Sequence, residues 1–396
     1  MRVLVWQWGR RGAGPRFAAG LARAIAAVPG HAGLLSLSEG AEILRAAAGS
    51  HDAPARDASS RDAAPGTPSP EAAWTDGPPR CDLPVPTYAG LAGFAGRMAR
   101  APLLVPRLAA RVRALRPDAA VCAMPAPMDA LMAGALRRAG VPYAVVVHDA
   151  DPHPGDVFPL QMVLQRRLLR GAAGLVALSG HVADRLRQQG AAGGRRLLVA
   201  ALPPLGYGAP PPPPLAHGGP LRLLLFGRLL PYKGLDLLAD GLARLGPRPD
   251  LEVRVVGSGP ESPELDALRR LPGVRVENRW VPEGEVGALL AWSDALVLSH
   301  REASQSGVAA AALAAGRWLV ATRVGGLPGQ LAGEPLARLC DPSARGLAEA
   351  LDALVREARA AARTRAVAAP RPSDSDAAWG RLARAMLDEL RAVAAR

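Results

Sequence analysis

The chain has 396 residues, 49% of them apolar, which is enough for two cores of ordinary domain size and too much for one. Its formal charge of +13 invites a nucleic-acid reading, but only 4% of residues are aromatic and the arginines are scattered through both halves. Stacking platforms and a concentrated basic stripe are both missing, so nucleic acid is excluded as an expected partner, while anionic small molecules or an anionic membrane surface suit the charge.

The opening apolar run is too short for a leader peptide, and no stretch approaches the roughly 20 apolar residues that span a bilayer. Cys81, Cys122 and Cys340 are far apart, odd in number and without metal-ligand spacing, which fits a reduced, cytoplasmic chain, soluble or peripheral at the inner membrane face. A strand over 3–8 leads through a glycine loop containing Gly12 and Gly14 into a helix with Phe17, Leu21, Ile25 and Val28 on one face. A strand over 33–38 and a helix from 41 follow. Residues 49–86 are rich in Pro, Ala, Ser and Asp without periodicity and read as a disordered insertion carrying no core.

Between 97 and 116 there are six arginines and no acid, with Leu104, Leu108, Val112 and Leu115 at helical spacing. The favoured reading is a surface helix whose apolar stripe packs on a sheet, and the alternative is a helix lying on an anionic membrane. Strands over 119–123, 142–147 and 174–178 then alternate with helices over 129–139, 160–170 and 180–189. A stiff proline-rich linker over 205–220 separates this first half, 1–204, from a second, 221–372. There the alternation restarts, with strands over 221–226, 252–256, 274–277, 295–298 and 318–322. A last helix over 376–396, with Trp379, Leu382, Met386 and Leu390 on one face, is expected to pack back on the first half. Two parallel sheets flanked by helices follow, each Rossmann-like, with ligands in the cleft between them beyond the carboxyl ends of the strands.

The chain holds 47 arginines and one lysine, Lys233. An ammonium acts on phosphate as a point charge where a guanidinium imposes a planar fork, so Lys233 marks the expected chemistry. Three loops after predicted strands should gather at one sheet edge: Arg228 with Lys233, the glycine turn at Gly257, and the loop from Arg301 to Val308 that opens a helix. Amides of Ser306, Gly307 and Val308 at that helix start would bind anions, completing a diphosphate clamp with Gly227, Arg228 and Lys233. Glu302 would repel phosphate, so it reads either as an acceptor for sugar hydroxyls or as a solvated acid paired with Arg301. His148, Asp149, Asp151, His153 and Asp156 also fall within nine residues, but the intervening prolines and glycine favour an ordinary rigid loop over a metal site. No metal and no cofactor is expected. The loop at Gly9 to Gly14 departs from the dinucleotide fingerprint in spacing and has no acid placed for a nicotinamide ribose, which argues against a dehydrogenase.

Residues 226–238, 255–260 and 302–328 resemble the retaining glycosyltransferases of family four, whose architecture is GT-B. The glycine loop and residues 148–155 are similar to a lesser degree. The resemblance implies transfer of a hexose from a nucleotide-diphosphate sugar, as co-substrate, to an acceptor hydroxyl with retention of configuration. By position it implies that Arg228 and Lys233 neutralise the donor diphosphate, that Glu302 contacts the sugar, and that Ser306, Gly307 and Val308 approach the phosphates. It implies too that His148 lines the sugar, while a structural histidine fits that position equally. The acid that holds the ribose in this family falls on Ala310 here, which puts nucleotide recognition in doubt. A nucleotide-sugar epimerase of the same architecture and a non-catalytic nucleotide-sugar-binding scaffold are the competing readings. The acceptor, expected in the first half as a glycan, lipid-linked or small molecule, is not legible.

Overall fold

The computed structural model describes residues 1–45, 78–152, 159–364 and 372–394. The first sheet is built from β1 (Arg2–Gln7), β2 (Ala32–Leu37), β3 (Ala119–Cys122), β4 (Tyr143–Val147), β5 (Gly174–Ala177) and β6 (Arg196–Val199), in the order β2-β1-β3-β4-β5-β6. The second holds β7 (Leu221–Arg228), β8 (Leu251–Ser258), β9 (Val274–Asn278), β10 (Ala295–Leu298), β11 (Trp318–Thr322) and β12 (Ala337–Cys340), in the order β12-β11-β10-β7-β8-β9. Every pairing between these strands is parallel.

The helices of the first half are α1 (Ala13–Ala26), α2 (Glu42–Arg45), α3 (Gly90–Ala99), α4 (Ala101–Leu115), α5 (Asp129–Ala139), α6 (Pro159–Gly171) and α7 (Gly180–Gln188). Those that follow are α8 (Leu235–Leu245), α9 (Pro263–Arg269), α10 (Glu283–Trp292), α11 (Gly307–Ala314), α12 (Leu327–Gln330), α13 (Ala344–Thr364) and α14 (Pro372–Ala394). Strand side chains alternate between the two helix layers. Val3 and Val5 of β1 join one core cluster and Leu4 and Trp6 the other, and Leu223 and Leu224 of β7 divide in the same way. This two-sided burial explains why the central strands read as continuous apolar runs.

The segment expected to carry no core over 49–86 needs correction at its end. Residues 46–77 lie outside the described residues, but Leu83 and Val85 are buried, and their amides donate to the carbonyls of Leu35 and Leu37 at 3.0 Å each. Leu83-Pro84-Val85 thus lines the open edge of β2, an alternation too short to read inside a proline-rich stretch. The proline linker is anchored at both ends: the Leu205 amide donates to the Ala310 carbonyl at 3.0 Å, and the Leu215 amide to Asp294 Oδ1 at 2.6 Å.

The terminal helix α14 lies on α1 and on β4, β5 and β6 of the first half. Trp379 stands 5.6 Å from Phe17, centroid to centroid, and its Nε1 donates to the Pro204 carbonyl at 3.0 Å. Met386, Leu387 and Leu390 continue the contact into the first core. Replacing Trp379 by Ala removes both the ring and the bond to Pro204. The expected loss is about 3–5 kcal/mol, read in chemical denaturation as an earlier unfolding transition of the first half.

Candidate active site

Both sheets reverse their strand order beside the same cleft, between β1 and β3 in the first half and between β7 and β10 in the second. Ligands of open parallel sheets sit beyond the strand ends at such reversals. The cleft encloses a cavity of about 610 Å³, lined on one side by the loops after β1, β3 and β4, and on the other by those after β7, β8 and β10.

Two helices start at this cavity from opposite sides. Gly12, Ala13 and Gly14 at the beginning of α1 line it, and so do Gly307 and Val308 at the beginning of α11. The contact between the two ends is close: a side chain added at Gly307 would place its Cβ 3.5 Å from that of Ala13. The first amides of a helix have no partner within it and carry the positive end of its dipole, so an anion is favoured between these ends. Ser306 lines the cavity as well, but its amide already donates to Gln330 Oε1 at 2.8 Å and its hydroxyl accepts from the Ala309 amide, so it caps α11 and leaves the amides of Gly307 and Val308 to a ligand.

Lys233 ends a short 3₁₀ turn, Pro231–Lys233. Gly234 follows at φ 63°, where a Cβ would stand 2.0 Å from the Ser299 carbonyl oxygen, so only glycine permits the turn to close on the β10 loop. Ser299 Oγ donates to the Lys233 carbonyl at 2.8 Å, and the Arg301 amide to that of Tyr232 at 2.9 Å. Thus held, the Lys233 ammonium is buried, 2.9 Å from His300 Nε2. Burial, and secondly the Arg228 guanidinium, push its pKa down to about 7, with Asp149 across the cleft acting in the opposite sense. Arg228 is exposed and stands, like Lys233, over the Tyr232 ring, at 5.4 and 5.3 Å from its centroid.

Gly227 lines the cavity, but Gly257 does not. Gly257 pairs with Gly227 in the sheet, and a Cβ there would fall 1.7 Å from the Gly227 carbonyl oxygen, so its task is to let β8 lie close against the end of β7. Glu302 is exposed and is not among the cavity-lining residues, although Ala303, Gln305 and Ser306 of the same loop line the cavity. On one side of it Arg301 is paired with Asp236, and on the other Ala303 is buried and the Ser304 carbonyl accepts from Ser179 Oγ at 2.9 Å. The Glu302 carboxylate instead acts on Arg185 of the first half, which holds Asp151 at 2.8 Å on the cavity rim.

His148 lines the cavity with both ring nitrogens engaged. Nε2 lies 2.8 Å from the Ala123 carbonyl and must carry the proton, so Nδ1 accepts from Gln305 Nε2 at 2.8 Å, across the cleft. Burial lowers its pKa, which keeps the ring neutral and suited to this pair of bonds. Of the suggested metal cluster, Asp149 and Asp151 line the cavity, His153 and Asp156 lie outside the described residues, and no metal-holding cluster occurs among the described ones.

Sequence reasoning missed the far end of the cavity. Arg16 of α1, buried, donates to Glu283 Oε1 of α10 at 2.6 Å and to the Gly206 carbonyl at 2.6 Å, with its guanidinium 4.2 Å from the Tyr207 centroid. Glu42 of α2 accepts from Trp280 Nε1 at 3.0 Å and from the Glu283 amide at 3.4 Å. Burial raises the Glu283 pKa, and Arg16 opposes the rise. An arginine on the inner face of an apolar helix carries no sequence signal of its partner. Ala310 is buried with Leu202 and Leu205 in the first core, so the site of the absent acid is closed by the linker.

Residues 220–357 match the family described as glycosyl transferases group 1, and residues 56–202 match the glycosyl transferase 4-like domain. The chain belongs to the group 1 glycosyl transferases. No curated protein matches its sequence. Its fold is similar to that of sucrose-phosphate synthase from Thermosynechococcus elongatus, at 15% identity and a TM-score of 0.58 over 98% of this chain and 99% of that one. It is similar to Anabaena HepE, solved with UDP and glucose, at 16% identity and a TM-score of 0.57 over 98% and 99% of the two chains. A glycosyltransferase from Rickettsia africae is similar at 14% identity and a TM-score of 0.57, over 99% and 98%. The architecture of this glycosyl transferase is therefore GT-B.

The Arg16–Glu283 pair is a buried ion pair between its halves. Removing one partner leaves an uncompensated buried charge, so Arg16→Ala is expected to cost about 3–5 kcal/mol, while Arg16→Met with Glu283→Leu costs much less. Thermal unfolding of the single and double variants reads the difference.

Proposed function

We propose that the protein transfers a hexose from a nucleoside-diphosphate sugar to an acceptor hydroxyl with retention of anomeric configuration. The observation that carries this reading is the facing of two helix N-termini beside Arg228 and Lys233, a positive pole suited to a leaving diphosphate. Family membership and the likeness to a fold solved with UDP and glucose support a nucleotide-sugar donor. The sugar extends from the diphosphate toward His148 and Asp149, with Glu302 at the rim. The acceptor oxygen bonds to the anomeric carbon on the face from which the diphosphate departs, the carbon–oxygen bond to phosphate breaks, and a phosphate oxygen takes the acceptor proton. Arg228, Lys233 and the amides of Gly307 and Val308 stabilise the charge that develops on the leaving group. The polar ties across the cleft keep water from the donor.

Lys233→Ala should lower turnover by about 10²- to 10³-fold with the fold intact, as loss of one preorganised charge-stabilising donor does. Unchanged donor consumption in that variant would remove the assigned role. A second expectation follows from the depressed Lys233 pKa. Near pH 8 the free side chain is mostly neutral, and a bound diphosphate favours the ammonium, so binding takes up about one proton and weakens as pH rises through about 7. Calorimetry of UDP binding in buffers of different ionisation enthalpy measures the uptake, which Lys233→Arg should abolish.

A further inference from the structure

The basic segment around α3 and α4 is not used by the donor site, and its shape is unusual for a packed helix pair. No residue of α3 is buried, and among the described residues Leu91 of α3 and Leu103 of α4 are the most exposed large apolar side chains, at 70% and 63%. The apolar stripe of α4 does pack inward, as the sequence implies, through Leu108, Ala109 and Val112. Its outer face is separate: Leu103, Arg107, Ala110, Arg111 and Ala114 recur at helical spacing and are all exposed. From 83 to 117 the chain has six arginines and no acid, and among the described residues none of the six is paired with a carboxylate. Arg111 and Arg113 instead donate to the carbonyls of Pro84 and Arg138.

We infer that the outer face of α3 and α4 docks on an anionic lipid surface, with Leu91 and Leu103 entering the headgroup–acyl boundary and Arg100, Arg107 and Arg111 facing the lipid phosphates. Aliphatic tips set among guanidiniums that hold no carboxylate fit that interface, where apolar burial and attraction to anionic lipid act together. A polyanion in water would use the arginines and leave the leucines exposed. The aromatics here do not offer a stacking platform, since Tyr88 and Phe94 pack on each other at 5.2 Å and against the first-half core. The face also adjoins the cleft: Thr87, just before α3, accepts from Arg10 Nε at 3.2 Å, and the next residue, Arg11, lines the cavity. A membrane held there would present a lipid-borne hydroxyl at the first-half side of the site. The docking itself is independent of the donor reading.

The test is co-sedimentation of the full chain with vesicles of phosphatidylcholine alone and of phosphatidylcholine mixed with phosphatidylglycerol, at low and high salt. Binding is expected only to the anionic vesicles, and to weaken with salt. Leu91→Ser and Leu103→Ser should each reduce it by about tenfold, and Arg100→Ser and Arg107→Ser by about fivefold each. All four side chains are exposed, so unchanged thermal unfolding confirms that the variants fold. Failure to bind anionic vesicles at low salt would overturn the inference. So would binding that falls with the arginine substitutions but not with the leucine ones, or a preference for single-stranded RNA over the vesicles, because each marks a polyanion-binding face.

Discussion

Two positive helix ends, α1 from one half and α11 from the other, are brought together across the cleft beside Arg228 and Lys233. Like charges gathered in this way repel, and the fold assembles them only because other contacts hold the halves together. Arg16 to Glu283, Glu42 to Trp280 and to the α10 amide, His148 to Gln305, and Ser179 to Ser304 form that set. They surround the positive pole on both sides, and the linker residues Leu205 to Tyr207 sit among them. The architecture thus concentrates fields of one sign where an anion is to be bound, and places the compensating attraction around it.

Burial gives Lys233 a second property. A surface lysine would be charged throughout the physiological range, whereas this one is held near the middle of it by desolvation and by its neighbour Arg228. Its charge is therefore coupled to the presence of an anion. Asp149 opposes the shift from the other half, so the charge of Lys233 depends on both sides of the cleft. Arginine at 233 would keep its charge regardless, which gives a physical reason for one lysine in a chain that otherwise uses arginine.

Much of this was legible in the sequence, for identifiable reasons. Parallel strands buried on both faces leave continuous apolar runs, so both sheets and most of their helices could be read directly. β6 and β12 lacked that signal because they are edge strands, with Arg196 and Arg338 in place of an apolar alternation. Lys233, Arg228, Gly307 and Val308 were found because helix starts and loop positions after strands are local features. Gly257 and the Ser306 amide were assigned to the ligand for the same local reasons, yet Gly227 and Gln330, which decide what they do, are set by tertiary contact. Arg16, Glu283 and Gln305 stayed hidden because each depends on a partner more than a hundred residues away in the other half.

The central claim is that the opposed helix starts and the Arg228–Lys233 pair bind one diphosphate. A crystal structure of the full chain with UDP tests it most directly. The expected result is a diphosphate within about 3 Å of the Gly307 or Val308 amide and of the Lys233 ammonium, with Arg228 turned toward it. Phosphates bound elsewhere in the cleft, with the α11 amides and Lys233 uninvolved, would contradict it.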